Sequence, residues 1–262
     1  MATVSVDTRQ EPAIKSILER NGFVFEPAPH AFWRARGQGV SATFYASGKF
    51  LAQGKGADAI VALIADTGLL ASGSGIRIGT DEAGKGDYFG PLVVAGVLLD
   101  DESDRRLAAL GVTDSKCLSD KRISELADVI RASCPVSVVS IGPQKYNELI
   151  VKMHSLNTLM GWAHARVIEN LLEQHECPLV VSDQFGDERC IKNALQTRGR
   201  CVRLVQCPRA ESADRAVAAA SVVARNEFVS RIEALSREFG LPLPKGASAQ
   251  VIEAGRQFVR QY

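Results

Sequence analysis

The most constraining feature of this chain is an apolar run, PLVVAGVLL, at residues 91–99. A run without polar side chains predicts a strand buried on both faces, because a strand with one solvated face alternates apolar and polar residues. The preceding segment at 76–82, IRIGTDE, predicts a second strand, and the Gly-rich stretch between the two predicts a turn. Together they indicate a buried hairpin within a covered sheet.

The sequence after this hairpin alternates between strand and helix patterns, which predicts an α/β fold with a mixed sheet flanked by helices. Strands are expected at 136–141, 178–185 and 201–206. Helices are expected at 103–110, 119–132, 156–175, 188–197, 211–238 and 248–260.

The first part of the chain predicts a separate small α+β unit. A helix is expected at 10–21, a meander of short strands at 23–53 and a second helix at 57–67. The segment 68–75, GLLASGSG, has the small residues of a linker. We therefore predict three parts, namely an N-terminal domain at 1–70, a linker at 71–75 and a larger domain at 76–262.

Composition limits the kinds of partner that the protein can have. Lys and Arg number 31 against 30 Asp and Glu, so a nucleic-acid-binding surface must be local. The six cysteines include no C-x-x-C pair, which favours reduced thiols. No apolar run approaches the roughly 18 residues of a membrane span. The expectation is a cytoplasmic protein that does not associate with a membrane.

Carboxylates follow two of the predicted strands and begin a predicted helix. Asp81 and Glu82 end one strand, Asp183 ends another, and Glu211 stands in the first turn of the alanine-rich helix at 211–238. Adjacent strand residues point to opposite faces, but the glycines that follow at 84 and 86 allow a turn that brings Glu82 toward Asp81.

Carboxylates brought together repel one another, so such a site requires shared protons or cations. Oxygen ligands without His or Cys favour Mg²⁺ or Mn²⁺ over zinc, and two such ions suit phosphodiester cleavage. For any single acid, an ordinary cap or a solvated position is the more common role. We assign Asp87, Asp100 and Asp101 to that role.

Four motifs in order resemble those of the prokaryotic type 2 ribonucleases H, and their details resemble ribonuclease HIII. The motifs are DEAGKGDYFGPLVVAGVLL at 81–99, TDSKCLS at 113–119, VVSDQF at 180–185 and RAESADRAVAAASVVAR at 209–225. The stretch ATFYASGKFLAQGKG at 42–56 is similar to the N-terminal domain of that family, which resembles the TATA-box-binding protein.

The resemblance implies a ribonuclease H-like fold and an endonuclease that cuts the RNA strand of RNA/DNA hybrids. It implies cleavage with two Mg²⁺ or Mn²⁺ ions, leaving 3′-hydroxyl and 5′-phosphate ends, by a monomer without an obligate protein partner. The implied catalytic and metal-binding residues are Asp81, Glu82, Asp183 and Glu211. The implied nucleic-acid-binding residues are Gly84, Lys85, Gly86, Ser115, Lys116, Ser47, Gly48, Lys49 and Lys55. Phe44, Tyr45 and Phe50 are expected to offer apolar or stacking surface, or to be core aromatics.

Several alternatives stay open at this point. Asp214 competes with Glu211 for the fourth carboxylate, and the alignment to the AAAS segment favours Glu211. His154 and His164 are candidates for proton transfer, although helix-surface or capping roles are favoured. For function, the alternatives are cleavage at single ribonucleotides within DNA, as by ribonuclease HII, and binding of hybrids without catalysis.

Overall fold

The N-terminal part of the chain folds into an antiparallel sheet with two helices. In this computed structural model the described residues are 2–6, 8–66, 75–112 and 118–262. The strands are β1 (Ala2–Ser5), β2 (Val24–Glu26), β3 (Ala31–Gly37), β4 (Val40–Tyr45) and β5 (Lys49–Gly54), in the order β1-β5-β4-β3-β2. The helices are α1 (Glu11–Arg20) and α2 (Ala57–Asp66). The predicted helices and meander are confirmed, whereas β1 was not anticipated.

The aromatic residues of this sheet form its core. Phe44 and Phe50 are register partners on β4 and β5 and are fully buried. The ring centroid of Trp33 lies 5.8 Å from that of Phe44 and 6.3 Å from that of Phe50. Of the two roles left open for Phe44 and Phe50, the structure therefore supports core aromatics and not a stacking surface. Strand alternation places both rings on the inner face, where they bury apolar area.

This core continues into the second half of the chain. Val181, Cys207, Ala210 and Val217 belong to the same buried cluster as the aromatic residues. The two parts of the molecule thus share apolar packing. The predicted linker at 71–75 lies outside the described residues except for Gly75, whose backbone N–H donates to Asp101.

The second half contains the predicted mixed sheet. Its strands are β6 (Arg77–Ala83), β7 (Leu92–Leu99), β8 (Val136–Ile141), β9 (Leu179–Asp183) and β10 (Arg203–Cys207), in the order β10-β9-β6-β7-β8. The segment from β6 to β8 is antiparallel, and β9 and β10 are added in parallel. Every residue of β7 is buried, as its apolar sequence predicts.

The helices of this part are α3 (Asp101–Ala109), α4 (Asp120–Ser133), α5 (Pro143–Met153), α6 (Leu156–Leu172), α7 (Arg189–Ala194), α8 (Ala210–Ala213), α9 (Arg215–Glu238) and α10 (Ala249–Gln261). All were expected apart from α5 and from the separation of α8 from α9. The five cysteines in the described part are free thiols, as expected.

Two glycines allow helices to lie directly on the two faces of this sheet. A Cβ on Gly79 of β6 would overlap the backbone of Ala216 in α9. A Cβ on Gly96 of β7 would overlap the side chain of Val167 in α6. Gly96 pairs with Thr80, the neighbour of Gly79, so the two glycines face opposite sides. Helix α9 therefore covers one face and α6 the other.

The predicted continuous helix at 211–238 is interrupted at Asp214. This residue has an extended backbone, with φ −129° and ψ 125°, and its Oδ1 accepts hydrogen bonds from Ala216 and Val217. Asp214 is thus the N-cap of α9. The prediction that Glu211 begins the long helix is wrong, because the capping aspartate ends one short helix, α8, and begins the next.

Candidate active site

Asp81 and Glu82 lie side by side on β6 but face opposite sides of the sheet. Asp81 is 7% exposed and shares a hydrogen bond with Ser221 of α9. Glu82 faces α6, where His164 lies. The backbone N–H of Glu82 donates to Asp81 Oδ1 at 2.8 Å. The two carboxylates therefore extend from opposite faces of β6.

The chain turns sharply at Gly84, as the sequence predicted. Gly84 has φ +89°, and a Cβ there would overlap the carbonyl oxygen of Pro91. Gly86 has open space around it. Only Gly84 of the pair is therefore required to be glycine for reasons of geometry.

Asp183 stands beside Asp81 at the end of the neighbouring strand. Thr80 and Ser182 are the last register partners in the parallel pair of β6 and β9, so the residues that follow them, Asp81 and Asp183, lie side by side. Asp183 Oδ1 also accepts a hydrogen bond from the backbone N–H of Ala210 at 2.9 Å. This bond fixes the start of α8 against the end of β9.

Glu211 comes close to this group through α8. It is 5% exposed, and its position follows directly from the bond between Ala210 and Asp183. Burial, followed by the negative charge of Glu211, raises the pKa of Asp183 to about 6. Asp214 is engaged elsewhere, since its Oδ2 lies 2.7 Å from Arg77 Nε. The structure thus favours Glu211 over Asp214 as the fourth carboxylate.

Three of the four acids line one cleft of about 430 Å³, and Glu211 is not among the residues that line it. The cleft also contains the predicted binding residues Gly84, Lys85 and Gly86, together with Ser221 and Arg225. A larger groove of about 910 Å³ lies between α9 and α10, and none of the four acids lines it. We place the candidate site in the smaller, acidic cleft because it is lined by carboxylates, which are the groups that bind divalent cations.

The electrostatics of the cleft suit hard cations. Burial raises the pKa of Asp81 well above its usual range, and the charges of Glu82 and Asp183 add to the effect. Carboxylates that destabilise one another's charge are stabilised by a divalent cation with oxygen ligands. In the part of the chain that the structure describes, no three His, Cys, Asp or Glu side chains are grouped closely enough to hold a metal ion as they stand.

Glu82 differs from its neighbours because it already has partners. Burial alone would raise the pKa of Glu82, but its interactions with His164 and Lys85 outweigh burial and lower it. His164 Nε2 lies 3.4 Å from Glu82 Oε2, and Lys85 Nζ lies 3.5 Å from Oε1. The favoured prediction of a surface or capping role is wrong for His164, which is fully buried in α6.

The other histidine takes the predicted capping role. His154 is the C-cap residue of α5 in a left-handed conformation. Sequence reasoning missed three contacts. Thr80 and Phe185 contact His164, and Ser221 shares a hydrogen bond with Asp81. One signal was present, since His164 interrupts an otherwise apolar helical face and such a residue requires a polar partner.

The three acids predicted to be ordinary have different roles. Asp100 is the N-cap of α3 in a capping box with Ser103, as expected. Asp101 accepts from Gly75. Asp87 lines the acidic cleft, and its Oδ1 accepts from Gly246 at 2.5 Å, so the expectation of a solvated surface group is wrong for this residue.

The predicted nucleic-acid-binding residues that the structure describes are exposed with two exceptions, both of them glycines. Lys85, Gly86, Ser47, Lys49 and Lys55 are exposed. Gly84 is half-buried, and Gly48 is buried beneath β1, where its carbonyl accepts from Val6 N–H at 2.7 Å. Gly48 is therefore corrected from a surface contact to a turn residue that β1 covers. Ser115 and Lys116 lie outside the described residues.

Comparison with known proteins agrees with this architecture. Residues 78–262 match the family model described as Ribonuclease HII. A mixed sheet between helices with acids at adjacent strand ends therefore defines a ribonuclease H hydrolase here. Ribonuclease HIII of Chlamydia caviae is 39% identical over 94% of this chain and 85% of its own length, and that of Protochlamydia amoebophila is 38% identical over 98% and 89%. The chain belongs to the ribonuclease HIII family.

A solved structure supports the same assignment over the whole chain. The crystal structure of Bst-RNase HIII in complex with Mn²⁺ is 31% identical, has a TM-score of 0.68, and covers 99% of this chain and 90% of that one. Within the described residues, no helix has both the length and the apolar character needed to cross a lipid bilayer.

Proposed function

We propose that this protein is an endonuclease that hydrolyses the RNA strand of RNA/DNA hybrids, leaving 3′-hydroxyl and 5′-phosphate ends. The observation that carries the proposal is the placement of Asp81 and Asp183 at adjacent ends of parallel strands in one cleft with Glu82. Membership of the ribonuclease HIII family supports the choice of substrate.

We assign metal binding to Asp81, Glu82, Asp183 and Glu211. Two divalent cations, Mg²⁺ or Mn²⁺, would be held by these carboxylates and, when bound, would supply Lewis-acid activation of a water and charge stabilisation at the phosphate and the departing 3′-oxygen. Asp81 and Asp183 hold their carboxylates at the open end of the sheet. The hydrogen bonds from Glu82 N–H and Ala210 N–H fix one oxygen of each. Glu211 adds negative charge next to Asp183.

The glycine loop is the proposed contact with the RNA strand. Lys85 and Gly86 are exposed at the rim of the cleft, where a cation and backbone amides are able to meet phosphate and 2′-hydroxyl groups. Ser115 and Lys116 are proposed phosphate contacts by the resemblance of their motif alone. This loop provides the discrimination of RNA from DNA.

We propose that residues 1–70 form a substrate-binding domain that resembles the TATA-box-binding protein. Residues 71–75 are the proposed linker and 76–262 the catalytic domain. Ser47, Lys49 and Lys55 are exposed on and beside β5 and are proposed backbone contacts. Replacing Lys49 and Lys55 by Ala should weaken hybrid binding and reduce its salt dependence, by roughly 0.7–0.9 in the log–log slope per lost phosphate contact. An equal effect from Lys145→Ala, on α5, would contradict this role.

The decisive assay compares four labelled substrates with the full chain. These are an RNA/DNA hybrid, single-stranded RNA, double-stranded DNA and a DNA duplex with one ribonucleotide, each with Mg²⁺, Mn²⁺ or chelator. We expect cleavage of the hybrid alone, and only when a divalent metal is present. We also propose that the protein is a cytoplasmic monomer. Binding of the hybrid without cleavage under every condition would refute the proposal.

A second candidate is cleavage at single ribonucleotides within DNA, which the match of residues 78–262 to the Ribonuclease HII model favours. The duplex with one ribonucleotide separates the two activities. Efficient cleavage of that duplex would support the second candidate.

A further inference from the structure

On the α6 face of the sheet, a group of contacting side chains connects the buried interior with the acidic cleft. Thr80 and Glu82 are two residues apart on β6 and therefore point to the same side. His164 reaches both, with Nδ1 at 3.0 Å from Thr80 Oγ1 and Nε2 at 3.4 Å from Glu82 Oε2. The imidazole thus bridges a buried hydroxyl and a carboxylate of the cleft.

The local packing fixes the ring in this orientation. His164 has no exposed surface, and its ring stacks on Phe185 with centroids 4.8 Å apart and planes 23° apart. Gly96 provides the space that lets α6 lie this close to the sheet, since any Cβ there would overlap Val167. The ring therefore cannot turn away without leaving a cavity.

The Thr80 hydroxyl at Nδ1 and the Glu82 carboxylate near Nε2 favour one placement of the ring protons. If Thr80 O–H donates to Nδ1, Nε2 carries a ring proton and lies 3.4 Å from Glu82 Oε2, in close contact but without an aligned hydrogen bond. The reverse tautomer would set the Nε2 lone pair against a carboxylate oxygen. A buried polar ring among apolar neighbours such as Ala163, Ala165 and Val167 is costly unless both nitrogens have partners.

The second oxygen of Glu82 is held separately. Lys85 Nζ lies 3.5 Å from Oε1, and the same ammonium group donates to Phe185 O at 3.4 Å and lies 5.7 Å from the centre of the Phe185 ring. Phe185 therefore contacts both partners of Glu82. The Glu82 carboxylate is therefore held on the α6 face of the sheet, whereas Asp81 contacts Ser221 on the α9 face.

We propose that His164 is a positioning residue that holds Glu82 at the cleft and thereby sets the affinity of the site for a divalent cation. The proposal rests on the proposed metal-dependent function. Hydrogen bonds to ligating carboxylates restrict their orientation, and their loss typically weakens metal binding 10–100-fold. The imidazole touches neither substrate nor reacting atoms in this role.

The test measures Mn²⁺ binding to the full chain without substrate, by electron paramagnetic resonance or titration calorimetry. His164→Leu removes both nitrogens, and His164→Gln retains an N–H of similar reach. Met160→Leu, one turn earlier in the same buried face of α6, is the matched packing control. We expect His164→Leu to weaken Mn²⁺ binding by at least about tenfold. We expect His164→Gln to recover most of the affinity and Met160→Leu to leave it unchanged.

A second variant keeps the test decisive if His164→Leu does not fold. Thr80→Val conserves shape and removes the hydroxyl that sets the tautomer, and it should weaken Mn²⁺ binding in the same direction. Unchanged or tighter Mn²⁺ affinity in folded His164→Leu or Thr80→Val would overturn the proposal, even with a lower melting temperature. Hybrid cleavage by the wild type is scored separately. A wild type that binds Mn²⁺ but cleaves no hybrid would refute the proposed function and not the role of His164.

Discussion

Arg77 and Asp214 form a buried ion pair, with 2.7 Å between Nε and Oδ2 and only 2% of either side chain exposed. The pair joins the first residue of β6 to the N-cap of α9. It therefore fixes the place where α8 ends and α9 begins, and with it the position of α8 and Glu211. Asp104 contacts the same guanidinium group at 2.9 Å.

Replacing Asp214 by Ala should lower the free energy of unfolding by about 3–5 kcal/mol, because it leaves a buried arginine with fewer partners and removes a helix cap. Chemical denaturation measures the change. Glu102→Ala, in an exposed pair with Arg106, is the control and should change stability by less than about 0.5 kcal/mol. Equal effects of the two variants would contradict a structural role for the buried pair.

Asp183→Asn should reduce hybrid cleavage by roughly a thousandfold or more, because an amide is a poorer ligand for a hard cation and several kcal/mol of metal stabilisation are lost. Hybrid affinity should change little, since Asp183 is assigned as a metal ligand and not as a contact with the nucleic acid. Single-turnover cleavage and filter binding measure the two quantities. Asp187→Asn, on the exposed loop that follows β9, is the matched control, and near-normal cleavage by Asp183→Asn would exclude this carboxylate as a ligand.

The raised pKa of Asp183 predicts how its contribution to stability depends on pH. The carboxyl loses its proton near 3.8 in the unfolded chain and near 6 in the folded, metal-free protein. Between these values the folded state binds more protons, so the contribution of Asp183 to the free energy of unfolding falls as pH rises from about 4 to about 6. Above this range the destabilisation is fully present.

Comparing wild type with Asp183→Asn isolates this contribution from that of the other acids. Without metal, the stability of the variant relative to wild type should increase between about pH 4 and pH 6.5. Mn²⁺ should stabilise only the wild type strongly, and more so at the higher pH, because binding requires the ionised carboxylate. A stability difference that does not vary with pH would show that Asp183 titrates normally.

The two loop glycines should differ sharply in their tolerance of alanine. Gly84 has φ +89°, and Gly84→Ala places a Cβ against the carbonyl oxygen of Pro91. This substitution should lower the free energy of unfolding by about 1–3 kcal/mol and displace the loop that follows Glu82. Gly86→Ala meets open space and should preserve stability. Melting temperature and cleavage rate of the two variants test this, and equal tolerance would mean that the loop is not held as described.

The sequence alone was sufficient for features that depend on local pattern. The apolar run at 91–99 predicts a fully buried strand because periodicity reports which faces are covered. The acids at 81, 82 and 183 stand at strand ends that parallel pairing brings together. Gly84 was identified as the turning point for a similarly local reason, since left-handed backbone conformations favour glycine.

Tertiary structure decided which partner each side chain meets. Asp214 continues a helical pattern in the sequence, but Arg77, 137 residues earlier in the chain, makes it a cap. His164 was assigned to a surface because its helix does not show which sheet residues lie opposite. Gly48 was placed at a binding surface, and the role of Phe44 was left open, because the position of β1 and the inward face of β4 are determined by pairing with distant segments. Periodicity specifies the shape of an element and its apolar face, whereas contacts between distant residues arise only when the whole core packs.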